Sequence, residues 1–291
     1  MDLFKAVLLA IVQGLAELLP VSSSAHVIVV ARLLQEDMST PANALLLVML
    51  HTGTMFAVIV YFWRQWMKAF FSSWEAFRRF VYTIFIASLL SGVVGYPLIK
   101  LVEHILGGHT AGAEIEDLFN KLNWIAPALA AAGLLILYAG LREARRPSGD
   151  GADDGESVSW PQAIVMGLVQ GLAIPFRGFS RSGSTISSGL LANGKRRPVE
   201  SFSFAMAVAV TPLAIAREAY RLVRDVHQGV AHVDLTAALT PSLVGLVCAF
   251  IAGLLALKWL SRWLEQGRWY WFGVYCLLAA AAVEFLYLRG W

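Results

Sequence analysis

The sequence has little charge and little cysteine, and each shortage excludes a class of protein. Only 15% of the 291 residues are Asp, Glu, Lys or Arg, whereas a soluble domain of this length carries about a quarter. The apolar residues, 58% of the chain, fall in blocks of roughly 20 residues, the length that crosses a bilayer. Both cysteines, Cys248 and Cys276, lie inside such blocks, which indicates small buried hydrophobes and not a disulfide framework or a metal site. The composition predicts a polytopic membrane protein.

Six apolar blocks are long enough to cross a membrane, and two further regions are interrupted halfway. The six predicted spans cover residues 42–63, 80–101, 124–141, 201–220, 240–260 and 269–288. The interrupted regions, hairpin one (residues 3–34) and hairpin two (residues 160–193), break near Pro20 and Pro175. Each half has roughly 12 to 17 residues, too few to span alone, which is typical of a re-entrant hairpin. The predicted fold class is an all-α polytopic membrane protein with six transmembrane helices and two re-entrant helical hairpins.

The two interrupted regions resemble each other, which indicates an internal repeat. Residues 12–16 read VQGLA and residues 169–173 read the same, and this offset carries Ser23 onto Ser180. The chain then divides into a first repeat, residues 1–144, and a second repeat, residues 160–291. They are joined by a linker rich in Gly, Asp and Ser, residues 145–159, expected to be cytoplasmic. Because each repeat has one hairpin and three spans, the second must enter the membrane from the opposite side, within one integral membrane domain.

The distribution of basic residues gives the expected orientation. Lys and Arg concentrate in four short connections, within residues 64–79, 142–146, 195–197 and 258–268. All four lie on one side of the membrane in this topology, and the positive-inside rule makes that side cytoplasmic. Hairpin one is therefore expected to enter from outside and hairpin two from the cytoplasm. Inverted repeats of this kind place a polar site near the middle of the bilayer, where the two tips meet.

The two tips carry the residues suited to chemistry. Hairpin one offers a carboxylate, hydroxyls and an imidazole, from Glu17, Ser22, Ser23, Ser24 and His26. Hairpin two offers guanidinium and hydroxyl groups, from Arg177, Ser180, Arg181, Ser182 and Thr185. An ionisable residue at membrane depth costs at least about 2.5 kcal/mol on insertion, which favours a functional role. The planar fork of Arg suits phosphate, a histidine can activate a serine as a nucleophile, and a carboxylate can orient that histidine or hold a divalent cation.

Each of these residues also has a structural explanation. The serines of hairpin one could cap its second helix, Glu17 and Arg181 could form an ion pair between the repeats, and His26 could be a packed side chain. For His51, inside a predicted span, packing is favoured over catalysis. A second class of function also fits, because secondary transporters and lipid flippases share inverted repeats and a midplane site. A serine–histidine pair beside an arginine favours chemistry over transport.

Two motifs at these tips resemble those of a known family. Residues 13–26 read QGLAELLPVSSSAH, and residues 178–185 read GFSRSGST. They are similar to the acidic first motif and the SRS-containing second motif of undecaprenyl-diphosphate phosphatases of the bacitracin-resistance (BacA) type. The likeness continues through residues 50–54, 200–204 and 250–260, so that it covers nearly the whole chain.

The resemblance implies hydrolysis of undecaprenyl diphosphate to the monophosphate at the outer face of the bacterial cytoplasmic membrane, which recycles the lipid carrier for wall synthesis. It also implies a divalent cation, Mg²⁺ or Ca²⁺, with Glu17 as the essential carboxylate and cation ligand. Ser23 is the implied nucleophile, with His26 as its acid–base partner, and Arg181 is the phosphate clamp. The other expected substrate contacts are Gln13, Ser22, Ser24, Arg177, Ser180, Ser182 and Thr185. The expected partners are the lipid substrate and the bilayer, without nucleic acid; a homodimer and a preference for another isoprenoid diphosphate stay open.

The chain departs from the family pattern at two positions. The family often has a second Glu where this chain has Gln13, which removes one cation ligand and favours retained activity over tight metal binding. Arg177 stands directly before Gly178 where the family usually has Pro, and the segment is one residue longer. This change adds a second candidate phosphate ligand and leaves the path of the backbone before Arg181 open.

Overall fold

The chain is all-helical in the computed structural model, which describes residues 2–38, 40–107, 122–146, 157–227 and 235–290. Within these ranges it forms ten α-helices and no β-strand. In chain order they are α1 Leu3–Leu18, α2 Ser23–Leu33, α3 Pro41–Phe70, α4 Trp74–Gly107, α5 Leu122–Ala144, α6 Trp160–Ala173, α7 Arg181–Leu191, α8 Arg196–His227, α9 Leu235–Glu265 and α10 Tyr270–Leu288. Residues 147–156 of the predicted linker lie outside the described part of the chain.

Six long helices confirm the predicted spans. Helices α3, α4, α5, α8, α9 and α10 each contain an apolar stretch long enough to cross a membrane. Five of them extend beyond the predicted block at both ends, because helical hydrogen bonding continues into polar residues where hydropathy no longer marks it. The sixth, α10, begins at Tyr270, one residue later than predicted, and Trp269 is its N-cap.

The remaining four helices form the two hairpins. Helices α1 and α2 have 16 and 11 residues, and α6 and α7 have 14 and 11. At about 1.5 Å per residue the longest of them reaches roughly 24 Å, less than the ~30 Å of a bilayer core. Their lengths are consistent with the predicted re-entrant hairpins.

The two hairpins have the same backbone geometry. Among the described residues, four other than glycine have positive φ angles, and they form two pairs 158 positions apart, Ser22 with Ser180 and Gln35 with Asn193. Gln35 and Asn193 end α2 and α7 with the same Schellman hydrogen bonds, in which the next N–H bonds the carbonyl five residues before it at 2.9 Å. Among the described residues, the two hairpins therefore repeat one backbone geometry.

The repeat has a shift of one residue at the second tip. The N-caps of α1 and α6 are Asp2 and Ser159, 157 positions apart, whereas those of α2 and α7 are Ser22 and Ser180, 158 apart. The tip of hairpin two is therefore one residue longer, and a uniform offset fails beyond it. Ser180 matches Ser22 and not Ser23, so that Ser23 matches Arg181 as the first residue of its helix.

Each hairpin packs against the middle span of the other repeat. Helix α1 packs on α9, and α6 packs on α4. Glycines allow the close approach: a Cβ added at Gly14 would lie 2.7 Å from the carbonyl oxygen of Ala249, and one added at Gly171 would lie 2.8 Å from that of Ser91. The halves therefore interlock, and neither hairpin is held by its own repeat alone.

This interlocking brings the two tips into contact. Ser182 Oγ donates to the carbonyl oxygen of Leu19 at 3.4 Å, and the buried thiol of Cys276 lies 3.3 Å from the carbonyl oxygen of Pro20. Leu19 and Ile186 both belong to the largest buried apolar cluster. Both tips are therefore fixed against each other by buried contacts, which makes a site between them geometrically defined.

Candidate active site

A cavity of about 280 Å³ lies between the two tips. Eight residues predicted for the site line it: Glu17, Ser22, Ser23, Ser24, Arg177, Ser180, Arg181 and Ser182. They come from both hairpins, so the cavity exists only in the folded chain. The sequence prediction that the two tips form one pocket agrees with this geometry.

Glu17 joins the two hairpins at this cavity. Arg181 Nη2 donates to Glu17 Oε1 at 2.6 Å, and Ser23 Oγ donates to Glu17 Oε2 at 2.5 Å. Glu17 thus contacts both side chains directly, closer than the roughly 4 to 7 Å suited to a phosphoryl group held between them. A guanidinium has five N–H donors. Among the described residues, the side chain of Arg181 makes one hydrogen bond, the one to Glu17. Arg181 therefore keeps donors for a phosphate while remaining paired with Glu17.

The contact between Ser23 and Glu17 has the geometry of a nucleophile and its base. A carboxylate within hydrogen-bond reach can take the hydroxyl proton as the oxygen attacks. The Glu17 side chain is 15% exposed and that of Arg181 is 32% exposed. Both are accessible from the cavity, and their charges balance each other in a largely desolvated place.

Two helix N-termini face the same cavity. Helix α2 begins at Ser23 and α7 begins at Arg181, and both starts are among the lining residues. The first N–H groups of a helix have no acceptor within it and carry partial positive charge. Ser180 Oγ satisfies one of them, the N–H of Gly183, at 3.2 Å, whereas Ser22 makes no such side-chain cap. The free N–H groups at both starts suit a phosphate.

The backbone turns sharply at both helix starts. Ser22 has φ 67° and Ser180 has φ 46°, values in the left-handed region that residues other than glycine adopt rarely. Such strain persists where the surrounding structure holds it, often at ligand sites. At these two residues the turn leads the backbone of each hairpin from its tip into its second short helix, which begins at the cavity.

His26 lies away from the position predicted for it. Its Nδ1 is 2.8 Å from the carbonyl oxygen of Ser22, which requires Nδ1–H to donate, and its Nε2 is 2.7 Å from the hydroxyl of Tyr275. His26 is not among the cavity-lining residues, and among the described residues neither ring nitrogen bonds Ser23. The predicted contact between Ser23 and His26 is therefore not formed, and Glu17 takes that place. Tyr275, on α10, carries no sequence signal that links it to the tips.

His51 lies closer to the site than the sequence analysis expected. Its Nδ1–H donates to the carbonyl oxygen of Leu47 at 2.8 Å, and its Nε2 is 4.0 Å from Glu17 Oε2. The sequence favoured a packing role because His51 lies inside a span. The sequence did contain a signal for His51 at the site. The LHTGT segment, residues 50–54, resembles the family in addition to the two motifs.

Two expected substrate contacts lie behind the cavity wall. Gln13 is buried, and its Nε2 donates to Glu17 Oε2 at 3.2 Å. Thr185 is fully buried, with its hydroxyl 2.8 Å from the carbonyl oxygen of Arg181 and 2.6 Å from Ser203 Oγ. Neither residue lines the cavity, so both support the residues that do.

A family model described as bacitracin resistance protein BacA matches residues 6–282. The chain belongs to the BacA family. It is 49% identical to undecaprenyl-diphosphatase 2 of Acinetobacter baylyi, over 97% of each chain. It is 32% identical to the undecaprenyl-diphosphatase of Korarchaeum cryptofilum, over 97% of this chain and 98% of that protein. A relative from Christiangramia forsetii with the same name is 30% identical over 99% of this chain.

The oxygen donors at this BacA site suit a divalent cation that is shared with a phosphate. Glu17 is the one carboxylate among the lining residues, and the described part of the chain contains no group of three or more His, Cys, Asp or Glu side chains that could hold an ion. Mg²⁺ and Ca²⁺ take six or more oxygen ligands. The donor set of one carboxylate and several hydroxyls fits a cation that also takes phosphate oxygens, and does not fit one held by the protein alone.

Proposed function

We propose that this chain is an undecaprenyl-diphosphate phosphatase, which removes the terminal phosphate and leaves undecaprenyl phosphate. The observation that carries the proposal is the pair of contacts from Glu17, to Ser23 at 2.5 Å and to Arg181 at 2.6 Å, beside two helix starts at one cavity. A base, a hydroxyl and a phosphate ligand are the parts that phosphoryl transfer needs. The choice of the lipid substrate rests on the names of the relatives.

The first step is attack of Ser23 Oγ on the terminal phosphorus. Glu17 Oε2 accepts the hydroxyl proton as the bond to phosphorus forms. The bond between that phosphorus and the bridging oxygen breaks, and the lipid monophosphate leaves with the bridging oxygen. The products of this step are a phosphoserine at position 23 and undecaprenyl phosphate. Glu17 then releases its proton to solvent.

The positive groups at the cavity bind the phosphate through both steps. Arg181 donates from its remaining N–H groups, and the helix starts at Ser23 and Arg181 add their free backbone N–H groups. Arg177, which the departure from the family pattern adds, lines the same cavity. A divalent cation bound with the diphosphate would neutralise charge on the phosphate oxygens, and Glu17 is the residue that would hold it.

We place the cavity on the outer side of the bacterial cytoplasmic membrane. The four basic connections, within residues 64–79, 142–146, 195–197 and 258–268, support this orientation through the positive-inside rule. Labelling with a membrane-impermeant thiol reagent, in cells that make the protein, measures which side Ser24→Cys and Ser72→Cys, between α3 and α4, each face. Reaction of Ser24→Cys from outside and of Ser72→Cys only after lysis supports the orientation, and the reverse contradicts it.

The activity is tested with purified protein in detergent and undecaprenyl diphosphate, with Mg²⁺ or Ca²⁺ present. We expect release of one inorganic phosphate per lipid monophosphate, and loss of that release in Arg181→Ala and Ser23→Ala. Substrate that binds without any phosphate release, under every cation, contradicts the proposal and favours a transporter. Equal rates on shorter isoprenoid diphosphates contradict the assignment of the undecaprenyl tail.

A further inference from the structure

Gln170 is a buried polar residue that the proposed reaction does not yet use. It lies on α6, is 4% exposed, and lines the cavity from the side of hairpin two. Its Nε2 donates to Ser91 Oγ, on α4, at 3.1 Å. The side chain is thus held by a residue from the neighbouring helix while it contributes to the cavity wall.

The hydrogen bonds of Ser91 fix which end of the amide faces it. Ser91 Oγ is 2.7 Å from the carbonyl oxygen of Ala87 and 2.9 Å from that of Gly167. A hydroxyl has one proton, which goes to one of these carbonyls, so that only lone pairs remain for Gln170. The NH₂ group of Gln170 must therefore face Ser91, and Oε1 is the other end.

Gln170 Oε1 has no hydrogen-bond donor in the described part of the chain. It is one of only two buried side-chain polar atoms there without a partner; the other is Ser88 Oγ. Buried acceptors in folded proteins are nearly always paired, and an unpaired one at a ligand cavity calls for an explanation. Because Gln170 lines the cavity, a molecule that reacts there is the candidate donor for this oxygen.

The chemistry of the reaction limits what that donor is. Ionised phosphate oxygens are acceptors, and they would repel an amide oxygen. A water molecule is a donor, and hydrolysis of the phosphoserine requires one. We propose that Gln170 Oε1 accepts a hydrogen bond from the water that attacks the phosphoserine at position 23, an inference that rests on the proposed function.

The second step then balances as follows. The water donates one O–H to Glu17, which takes that proton, and its other O–H to Gln170 Oε1, while its oxygen bonds to phosphorus. The bond between phosphorus and Ser23 Oγ breaks, and Ser23 Oγ regains a proton from Glu17. Inorganic phosphate leaves with the oxygen of the water. Gln170 orients the water and neither gains nor loses a proton.

The test uses Gln170→Met, which keeps the length of the side chain and removes the acceptor, in full-length purified protein. With undecaprenyl diphosphate we expect a burst of monophosphate equal to the enzyme concentration, followed by phosphate release about 10²-fold slower than in the parent protein. Substrate labelled in the terminal phosphate should leave label on the protein, and the label should be absent in Gln170→Met combined with Ser23→Ala. Ser91→Ala, which releases the amide and leaves Gln170 in place, should slow phosphate release in the same way but less.

The outcomes separate this inference from the proposed function. An inactive parent protein contradicts the proposed function, whereas an active parent with no burst in either Gln170→Met or Ser91→Ala overturns only the role of Gln170. Equal slowing of monophosphate and phosphate formation with a raised KM assigns the oxygen to a protonated phosphate and overturns the water assignment. If Mg²⁺ activates the variant many-fold more weakly and no burst appears, Gln170 Oε1 contacts the cation, and the water assignment is again overturned.

Discussion

The two hairpins share a backbone and differ in chemistry. Both have a helix start at the cavity, a left-handed turn before it and the same end to the second helix. Hairpin one carries the carboxylate of Glu17, where the repeat places Ile174 in hairpin two. Hairpin two carries the guanidinium of Arg181, where the structure places Ser23 in hairpin one. The fold is repeated, whereas each half supplies one part of a charged pair that neither supplies alone.

This difference explains how two charged side chains, Glu17 and Arg181, are accommodated between apolar hairpins. A carboxylate or a guanidinium alone at membrane depth costs several kcal/mol, at least about 2.5 on insertion scales. The ion pair at 2.6 Å between Glu17 and Arg181 offsets part of that cost. Because the two charges belong to different hairpins, they pair only after the halves interlock. In the proposed function, hairpin one supplies the carboxylate and hydroxyl that make the bond, and hairpin two supplies the guanidinium that binds phosphate.

The largest expected effect is that of Glu17→Gln. The substitution removes the base for Ser23 and keeps the shape, so we expect kcat to fall by about 10³-fold or more. Steady-state phosphate release measures it. Glu36→Gln is the matched control, because Glu36 is a carboxylate that directly follows the same hairpin and pairs with Lys5 at 2.8 Å, away from the cavity; it should retain the parent rate. A folded Glu17→Gln protein with near-parent kcat would remove Glu17 from the chemistry.

Arg181→Ala comes next and tests the binding role of hairpin two. Loss of one preorganised charged donor costs roughly 10²–10³-fold in rate, and the loss of phosphate contacts should also raise KM. Arg181→Lys keeps a charge without the fork and should recover part of the rate. Kinetics on both variants separate kcat from KM. Full recovery by Lys would show that charge alone matters, and an unchanged KM in Arg181→Ala would contradict the assignment of phosphate binding to hairpin two.

His26→Ala should have a smaller effect than either. Nδ1 of His26 is hydrogen-bonded to the carbonyl oxygen of Ser22, and Nε2 to the hydroxyl of Tyr275. A typical hydrogen bond contributes about 0.5–1.5 kcal/mol to stability. We therefore expect less than about a ten-fold loss of kcat, with a similar loss in Tyr275→Phe. A fall of kcat as large as that of Ser23→Ala would instead make His26 the acid–base partner, and the catalytic group of hairpin one would then extend beyond Glu17.

The smallest expected effect compares Ser22 and Ser180, which have the same place in the two hairpins. Ser180 Oγ caps α7 through Gly183 N–H, whereas Ser22 makes no cap bond. Ser180→Ala should lower stability by about 1 kcal/mol, and Ser22→Ala should change it little. Thermal unfolding of both proteins in the same detergent provides the measurement. Equal destabilisation by both would show that the two helix starts are held alike.

Much of the fold, and the polar residues that line the site, could be predicted from the sequence. Hydropathy located all six spans, because burial in a bilayer requires apolar blocks of a fixed length. Proline and serine in the middle of two apolar regions located both tips. Glu17, Ser23 and Arg181 were predicted to lie together, because an inverted repeat brings its two similar tips to one site. In the structure Glu17 contacts both of the others.

The uniform offset was wrong beyond the second tip. An insertion of one residue leaves the hydropathy of a short helix nearly unchanged, so that the sequence alone aligned Ser23 with Ser180. The backbone angles align Ser22 with Ser180 instead. The extra residue expected before Gly178 from the resemblance to the family was the signal for this shift.

By itself the sequence determined the membrane class, the spans, the two tips and the identity of the polar groups there, because these follow from composition and from periodicity along the chain. Only the tertiary structure decided which partner each polar group has. Ser23 meets Glu17, His26 meets Tyr275, and Gln170 meets Ser91. These choices depend on the rotation and depth of helices that are far apart in the chain, and packing between helices sets both.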